Sequence, residues 1–330
     1  MKASVIVVNW NGKDMLRQNL PHVLALRAPP FETVVVDNGS TDGSTDMLRT
    51  EFPDVRVVPL PENLGFAGGN NAALPGARGE LIATLNNDAR PEPDWLARLV
   101  ETADAHPEAG VFSSRLLVAG EDRIDSDGDL LDTAFRPSKR GAGRPPACAS
   151  SPHEVFSACA GAALYRRSMI DRIGFFDEAF FLIYEDVDLS FRARLAGWKV
   201  LHVPDAVVHH AEGSSLDRVP DLRRYWEYRN LEYVWLKNMP ARLILRHAPE
   251  LAAARLLEAW AAWRRLGRRF PIYLRAKGHV LRNLPRLLRE RRRLRRTRRV
   301  GPDEIARTLL PRPFLDAGRW REEVRRVLRW

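Results

Sequence analysis

A mainly parallel α/β fold, its central sheet covered by helices on both faces, is the architecture this sequence predicts, and three observations carry it. Apolar, β-branched runs of strand length alternate with segments of helical spacing through the first half of the chain. The runs are continuously apolar, as strands buried on both faces are. Each ends in a cluster of Asn, Asp, Gly or Ser, and in such sheets ligands collect at the carboxyl ends of strands.

Taken in order, residues 4–9 are an apolar run stopped by Asn9-Trp10-Asn11-Gly12, a buried strand and its turn. Over residues 14–26, Met15, Leu16, Leu20, Val23 and Leu24 recur at helical spacing. Residues 33–36 form a second strand, closed by Asp37-Asn38-Gly39-Ser40; a helix over 44–52 and a third strand over 55–59 follow. Residues 62–73 are a Gly/Asn loop opening a helix, and 81–85 a fourth strand ending at Asn86-Asn87-Asp88. After a helix over 93–105, periodicity fades from 120 to 152, which reads as a long loop of the kind that serves as a lid. Order returns at 155–166 and 175–197, then in strands at 199–203 and 206–208, the last followed by His209-His210 and a Gly/Ser run. Beyond Pro220 the chain reads as helical.

A chain of 330 residues at 45% hydrophobic content holds one sizeable core with something appended. Two cysteines, Cys148 and Cys159, make neither a disulfide framework nor a zinc site and fit a reducing compartment. The first ten residues do not read as a signal peptide, and no stretch reaches the roughly 18 apolar residues of a spanning helix. The expectation is a cytoplasmic protein. Its net charge of +10 is unevenly divided. Residues 1–240 hold 26 Lys and Arg against 34 Asp and Glu, whereas 241–330 hold 26 against 8. An acidic catalytic domain over 1–240 and a basic helical tail over 241–330, aimed at an anionic surface, is the predicted division.

Three acidic sites carry candidate chemistry. Asp37, at a strand tip, can accept hydrogen bonds from a base imide or a ribose hydroxyl, although Asp-Asn-Gly-Ser is equally good turn chemistry. Asn86-Asn87-Asp88 suits a divalent ion on a diphosphate, because phosphate oxygens and water complete such a shell; an Asx turn would use the same residues. Glu185, Asp186 and Asp188 follow an aromatic-apolar stretch, and buried carboxylates cost several kcal/mol unless paired or used. Asp186 is the candidate general base. A helix N-terminus would also favour acids there, with Asp188 pairing to Arg192 or Arg194. His209 and His210 can complete a metal shell or hold a phosphate.

Read together, these segments resemble the family 2 glycosyltransferases of GT-A fold, closest to the bacterial rhamnosyltransferase-like branch of cell-surface polysaccharide assembly. The resemblance rests on Val7-Val8-Asn9-Trp10-Asn11, Val36-Asp37-Asn38-Gly39-Ser40, Asn63-Leu64-Gly65-Phe66-Ala67-Gly68-Gly69-Asn70-Asn71, Leu85-Asn86-Asn87-Asp88, Gly161-Ala162-Ala163-Leu164-Tyr165, Phe176-Asp177-Glu178, Tyr184-Glu185-Asp186-Val187-Asp188 and Ala196-Gly197-Trp198, in family order over residues 3–240. It implies that Asn9, Asp37, Asn63, Gly65, Asn70 and Asn86 bind the donor nucleotide. Asp88 would hold Mg²⁺ or Mn²⁺ as the last acid of an Asp-x-Asp motif whose first acid is Asn86 here, with His209 or His210 as a late ligand. Asp186, with Glu185 beside it, matches the catalytic base of direct, inverting displacement. The implied donor is a dTDP- or UDP-sugar, with rhamnose the usual sugar of that branch, and the acceptor a glycan or polyprenyl-linked sugar. The Gln-x-x-Arg-Trp motif of processive synthases has no counterpart, since Gln18 is the sole glutamine and Gly318-Arg319-Trp320 has none upstream. Transfer of one or a few sugars follows.

In the tail, Leu256, Trp260, Trp263, Leu266 and Phe270 share one helical face with Arg264, Arg265, Arg268 and Arg269 on its flanks. Such a helix suits an anionic leaflet at the inner face of the plasma membrane; equally, the apolar face can pack on the catalytic domain with its arginines solvated. The arginine run 289–299 raises nucleic-acid binding as a rival, but no recognised motif accompanies it and the acidic first 240 residues repel a polyanion. An inactive nucleotide-sugar-binding scaffold is the other alternative.

Overall fold

Val5 and Val7 pack into one hydrophobic cluster and Ile6 into another, which is why β1 (Ala3–Asn9) reads as unbroken apolar sequence. The computed structural model describes residues 1–146, 151–211 and 219–311. Cys148, the run 212–215 and Gly318-Arg319-Trp320 lie outside the described residues. The chain divides into two compact units, Met1–Asp129 with Lys139–Ser215, and Leu130–Ser138 with Leu216–Trp330.

In the first unit, β1 pairs in parallel with β2 (Phe31–Asn38), which pairs in parallel with β3 (Arg56–Leu60). On its other side β1 pairs in parallel with β4 (Leu81–Asn86). The helices between them are α1 (Lys13–Leu24), α2 (Ser44–Glu51) and α3 (Gly65–Ala73). Beyond a short β5 (Ala89–Pro91) and α4 (Trp95–Ala105) comes β6 (Ala109–Val118), a ten-residue strand that the sequence did not announce. Its segment Gly110-Val111-Phe112-Ser113-Ser114 interrupts an apolar pattern with serines that are nonetheless fully buried.

The stretch expected to be a loop carries three short strands, β7 (Ile124–Ser126), β8 (Asp129–Leu131) and β9 (Pro137–Lys139), and β10 (His153–Glu154) follows directly after it. After them β11 (Ala162–Arg166) inserts antiparallel between β4 and β6, so the sheet is mixed. Helices α5 (Arg167–Ile173) and α6 (Glu185–Leu195) precede β12 (Lys199–His210). The sheet order is β10-β12-β6-β11-β4-β1-β2-β3. One correction concerns β12. Sequence suggested two strands with the histidines beyond them, but a register shift between Val203 and Val207 absorbs Pro204 as an irregularity, and the strand continues through His210.

Both faces are covered. Leu16, Leu20, Met47, Leu48, Trp95 and Leu99 of α1, α2 and α4 pack on one. Ala67, Met169, Ile170, Leu189 and Ala193 of α3, α5 and α6 pack on the other. Each fully buried Leu or Ile contributes about 2 kcal/mol.

Apart from the segment of β8 and β9, the second unit is helical: α7 (Pro220–Asn238), α8 (Ala241–Arg246), α9 (Ala248–Leu266), α10 (Pro271–Thr297) and α11 (Pro302–Thr308). Ala262, Leu266 and Tyr273 form an apolar cluster with Tyr228 and Phe270 against it. Beside it, Lys277 Nζ donates to Glu232 Oε1 at 2.6 Å and to Glu258 Oε1 at 2.7 Å. The single apolar face expected of α9 is therefore split: Leu266 is buried, whereas Leu256 and Trp263 stay exposed. Among the described residues no helix is long and apolar enough to cross a membrane.

Candidate active site

Asp37 closes β2, opposite Asn9 at the end of β1, so parallel pairing alone sets the two side by side. Asp37 is nearly buried; its carboxylate accepts from the Thr45 hydroxyl and, at 3.3 Å, from the Ser40 amide. Asn9 is fully buried, donates to Ser40 Oγ at 3.3 Å and accepts from Asn87 Nδ2 at 2.8 Å. These bonds knit the ends of β1, β2 and β4 into one rigid floor.

The Gly/Asn segment beside it is held by amides. Asn38 donates to Asn63 Oδ1 and to the Gly65 carbonyl, both at 3.0 Å, and Asn63 Oδ1 also accepts from the Gly65 amide at 2.8 Å. Asn70 donates to the Phe66 carbonyl at 2.9 Å, while its own Oδ1 is buried without a hydrogen-bond donor among the described residues. Gly65 has φ +72°, and a Cβ there would lie 2.3 Å from the Phe181 carbonyl oxygen. Only glycine fits between this loop and the turn that leads to α6.

That turn is strained. Phe181, Ile183 and Tyr184 all have positive φ, a left-handed conformation costing about 1–2 kcal/mol per side-chain-bearing residue. The strain delivers Glu185, Asp186 and Asp188 to the first turn of α6. Asp188 is fully buried and bound to Arg192 Nε at 2.8 Å across one helical turn. Asp186 accepts from the Ala160 amide at 3.0 Å and from its neighbour Val187 at 2.8 Å. Burial nonetheless pushes the Asp186 carboxyl above its ordinary value. Burial, then the charge of Asp186, pushes Glu185 well up, and its Oε2 has no hydrogen-bond partner among the described residues.

Asp88 follows β4 by two residues. Its Oδ1 lies 3.3 Å from His210 Nε2, and Asn86 Nδ2 lies 3.2 Å from the same nitrogen. Strand alternation sends His209 elsewhere, to Glu92 Oε1 at 2.7 Å, so of the tandem only His210 meets Asp88. The Asp186 and Asn86 sites are joined through adjacent backbone: Ala160 N–H donates to Asp186, and the next residue, Gly161, accepts from the Asn86 amide at 2.9 Å.

Sequence reasoning missed Asp125. It sits on β7 with 1% exposure, accepts from Lys139, and places Oδ2 3.0 Å from His210 Nδ1. Burial by itself would lower the His210 pKa, but the Asp125 and Asp88 carboxylates carry it up to about 9. Asp129, also on the strands after β6, is pushed well above the ordinary carboxyl range by burial and then by the charge of Asp186. The one available signal was Ile124-Asp125-Ser126-Asp127-Gly128, acids beside a glycine, which reads as loop chemistry until the strands pair.

Comparison with known proteins shows the family and the fold. The sequence model of Glycosyl transferase family 2 matches residues 4–174. An N-acetylglucosaminyl-diphospho-decaprenol L-rhamnosyltransferase of Mycobacterium tuberculosis is 27% identical over 246 residues, covering 66% of this chain and 78% of that protein. The O-antigen biosynthesis protein RfbC of Myxococcus xanthus is 32% identical over 247 residues, 68% of this chain but 18% of that protein. Among solved structures, S. aureus TarS 1-349 in complex with UDP-GlcNAc superimposes with a TM-score of 0.58 at 20% identity, covering 88% of this chain and 84% of that one. The mannosyltransferase PcManGT of Pyrobaculum calidifontis, in complex with GDP-Man and Mn²⁺, gives 0.52 at 21% identity, covering 85% and 87%. With its mixed sheet sandwiched between helices and more than half its length matched, this chain belongs to glycosyl transferase family 2 and has the GT-A fold.

Proposed function

We propose that the protein is an inverting, metal-dependent glycosyltransferase that moves a sugar, rhamnose foremost, from a nucleoside diphosphate to a hydroxyl of a glycan or polyprenyl-linked acceptor. The observation that carries this reading is the tether at Ala160-Gly161, which holds Asp186 and the Asn86–Asp88 turn on adjacent residues. A base and a phosphate-side site so joined suit displacement at an anomeric carbon lying between them.

Asp37 receives the nucleoside, with Asn63, Gly65 and Asn70 shaping the start of α3 and the turn before it, and Asn9 and Asn86 fixing the floor. Asp186 takes the acceptor proton; a carboxyl raised by burial is a better base than an ordinary aspartate once ionised. Glu185 sits beside it, its carboxyl held towards the protonated form by burial and by the charge of Asp186.

The residues fit a divalent ion. Cis ligands of an octahedral ion at about 2.1 Å are about 3 Å apart, and Asp88 Oδ1 and His210 Nε2 lie 3.3 Å apart. Asp125 on Nδ1 leaves Nε2 as the ligand atom, the usual carboxylate–histidine pairing behind a metal. Among the described residues no three His, Cys, Asp or Glu form a metal cage, so diphosphate oxygens and water would supply the remaining ligands. When bound, Mg²⁺ or Mn²⁺ offsets charge on the leaving diphosphate. The relatives named above support a nucleotide-sugar donor and a lipid-linked or polysaccharide acceptor; the donor base proposed is that of dTDP or UDP. The basic region after residue 240 would bring the enzyme to an anionic membrane surface where lipid-linked acceptors reside.

The test is a thermal-shift panel of dTDP- and UDP-sugars with and without Mn²⁺, followed by turnover of Asp186→Asn. A metal-dependent shift, with turnover lost by about 10²–10⁴ while donor binding survives, supports the assignment. Unchanged product yield removes Asp186 from the base role, and donor binding without turnover in the unmodified protein leaves a nucleotide-sugar-binding scaffold.

A further inference from the structure

We propose that the outer face of α10 lies in the plane of an anionic lipid bilayer, a surface that deepens the reading above and rests on it for its purpose. The helix has 27 residues, about 40 Å of length. Its inner side is settled: Tyr273, Ala276, Val280 and Leu287 are buried. Beside them, about 100° round the helix axis, Leu274, Leu281 and Leu288 are 56%, 71% and 40% exposed. Their spacing of seven keeps them in one row, since an α-helix drifts only about 20° per seven residues.

Each of those leucines is followed by an exposed arginine, Arg275, Arg282 and Arg289, and the same spacing continues to Arg296. The outer face is thus a leucine row flanked by an arginine row. The helix's one acidic residue, Glu290, is only partly exposed. Exposed leucines alone are compatible with several partners. The paired arginine row selects one: leucines enter the acyl boundary while guanidinium groups on their long stems stay at phosphate level. Electrostatic attraction of this kind is worth about a factor of five per basic residue near an anionic surface.

A neighbouring helix repeats the pattern. On α9, Leu256, Trp260 and Trp263 are 72%, 38% and 59% exposed, and the Arg264 guanidinium lies 5.7 Å from the Trp260 ring centre. Tryptophan is the residue most at home at the headgroup level. None of these side chains belongs to the nucleotide, metal or base sites.

The experiment is co-sedimentation of the full chain with phosphatidylglycerol vesicles and with phosphatidylcholine vesicles at low salt. The expected result is binding to the first and not the second. A triple variant, L274S/L281S/L288S, should lose at least about tenfold in partitioning, and R275Q/R282Q/R289Q on the order of a hundredfold. Circular dichroism and nucleotide-induced thermal shift check that both variants keep their fold and donor site. Failure of the unmodified protein to bind phosphatidylglycerol overturns the proposal, as does undiminished binding by both folded variants. A dimer that the leucine variant dissociates, without vesicle binding, overturns it in favour of a second copy of this chain. Because no sugar transfer is read, a failed donor panel and a failed vesicle assay remain separate results.

Discussion

His210 Nδ1 lies 3.0 Å from Asp125 Oδ2, joining two residues 85 positions apart in the chain. The contact exists because β7 and the end of β12 both pair with β6, at Leu116–Leu117 and at Leu117–Val118. On the proposed function, Asp125 fixes the ring so that Nε2 faces Asp88. Asp125→Asn should therefore weaken Mn²⁺ binding about 10–100-fold, as loss of an outer carboxylate does. Titration of free Mn²⁺ by electron paramagnetic resonance reads this directly, and an unaltered affinity would remove Asp125 from that role.

Protonation of the same ring sets the pH dependence. A folded-state pKa of about 9 lies above the unfolded value near 6.5, so the imidazolium stabilises the metal-free fold. That contribution is whole below about pH 6.5 and is lost as pH rises towards 9, up to roughly 3 kcal/mol in all. Metal on Nε2 displaces the proton, so Mn²⁺ affinity should climb by up to about tenfold per unit between pH 7 and 9. Affinity flat over that range would exclude His210 as a ligand.

Gly65→Ala places a methyl group 2.3 Å from the Phe181 carbonyl oxygen at φ +72°. The left-handed backbone alone costs about 1–2 kcal/mol, and the overlap adds to it. A loss of at least about 2 kcal/mol in urea denaturation is expected, with weakened donor binding, because this loop abuts the turn that presents Asp186. A substitution without effect on either would show that the loop and turn separate at little cost.

In the helical unit, Lys277→Met removes the cation shared by Glu232 and Glu258, whose side chains are only 8% and 6% exposed. Arg255, 2.8 Å from Glu232, offsets part of the loss. Leaving a buried carboxylate short of its partner costs about 3 kcal/mol. Chemical denaturation should register it, and Lys277→Met with Glu258→Gln should recover a good part. No recovery would mean the two charges are not coupled.

Much of this protein was legible in its sequence wherever the deciding physics is local. Continuous apolar runs fix strands covered on both faces, and Gly-Asn-Asp clusters fix the turns after them, so β1 to β4, α1, α2 and α4 fall close to where the sequence puts them, whereas most of the Gly/Asn stretch read as a loop is itself α3. Asp37, Asp88 and Asp186 stood out for the same reason, as acids at the ends of apolar elements.

Tertiary structure decided what depends on pairing between distant segments. Whether a short polar stretch such as Ile124-Asp125-Ser126 becomes a strand depends on the edge it meets, here β6, and that is invisible from its own residues. Which histidine meets Asp88 turned on one residue of register, since neighbours on a strand face opposite ways. The row of leucines left outside α10 also became visible only once packing had claimed the inner side. Composition and spacing determined the elements and the chemistry they carry; pairing register and packing determined which side chains meet, because those depend on contacts between residues far apart in the chain.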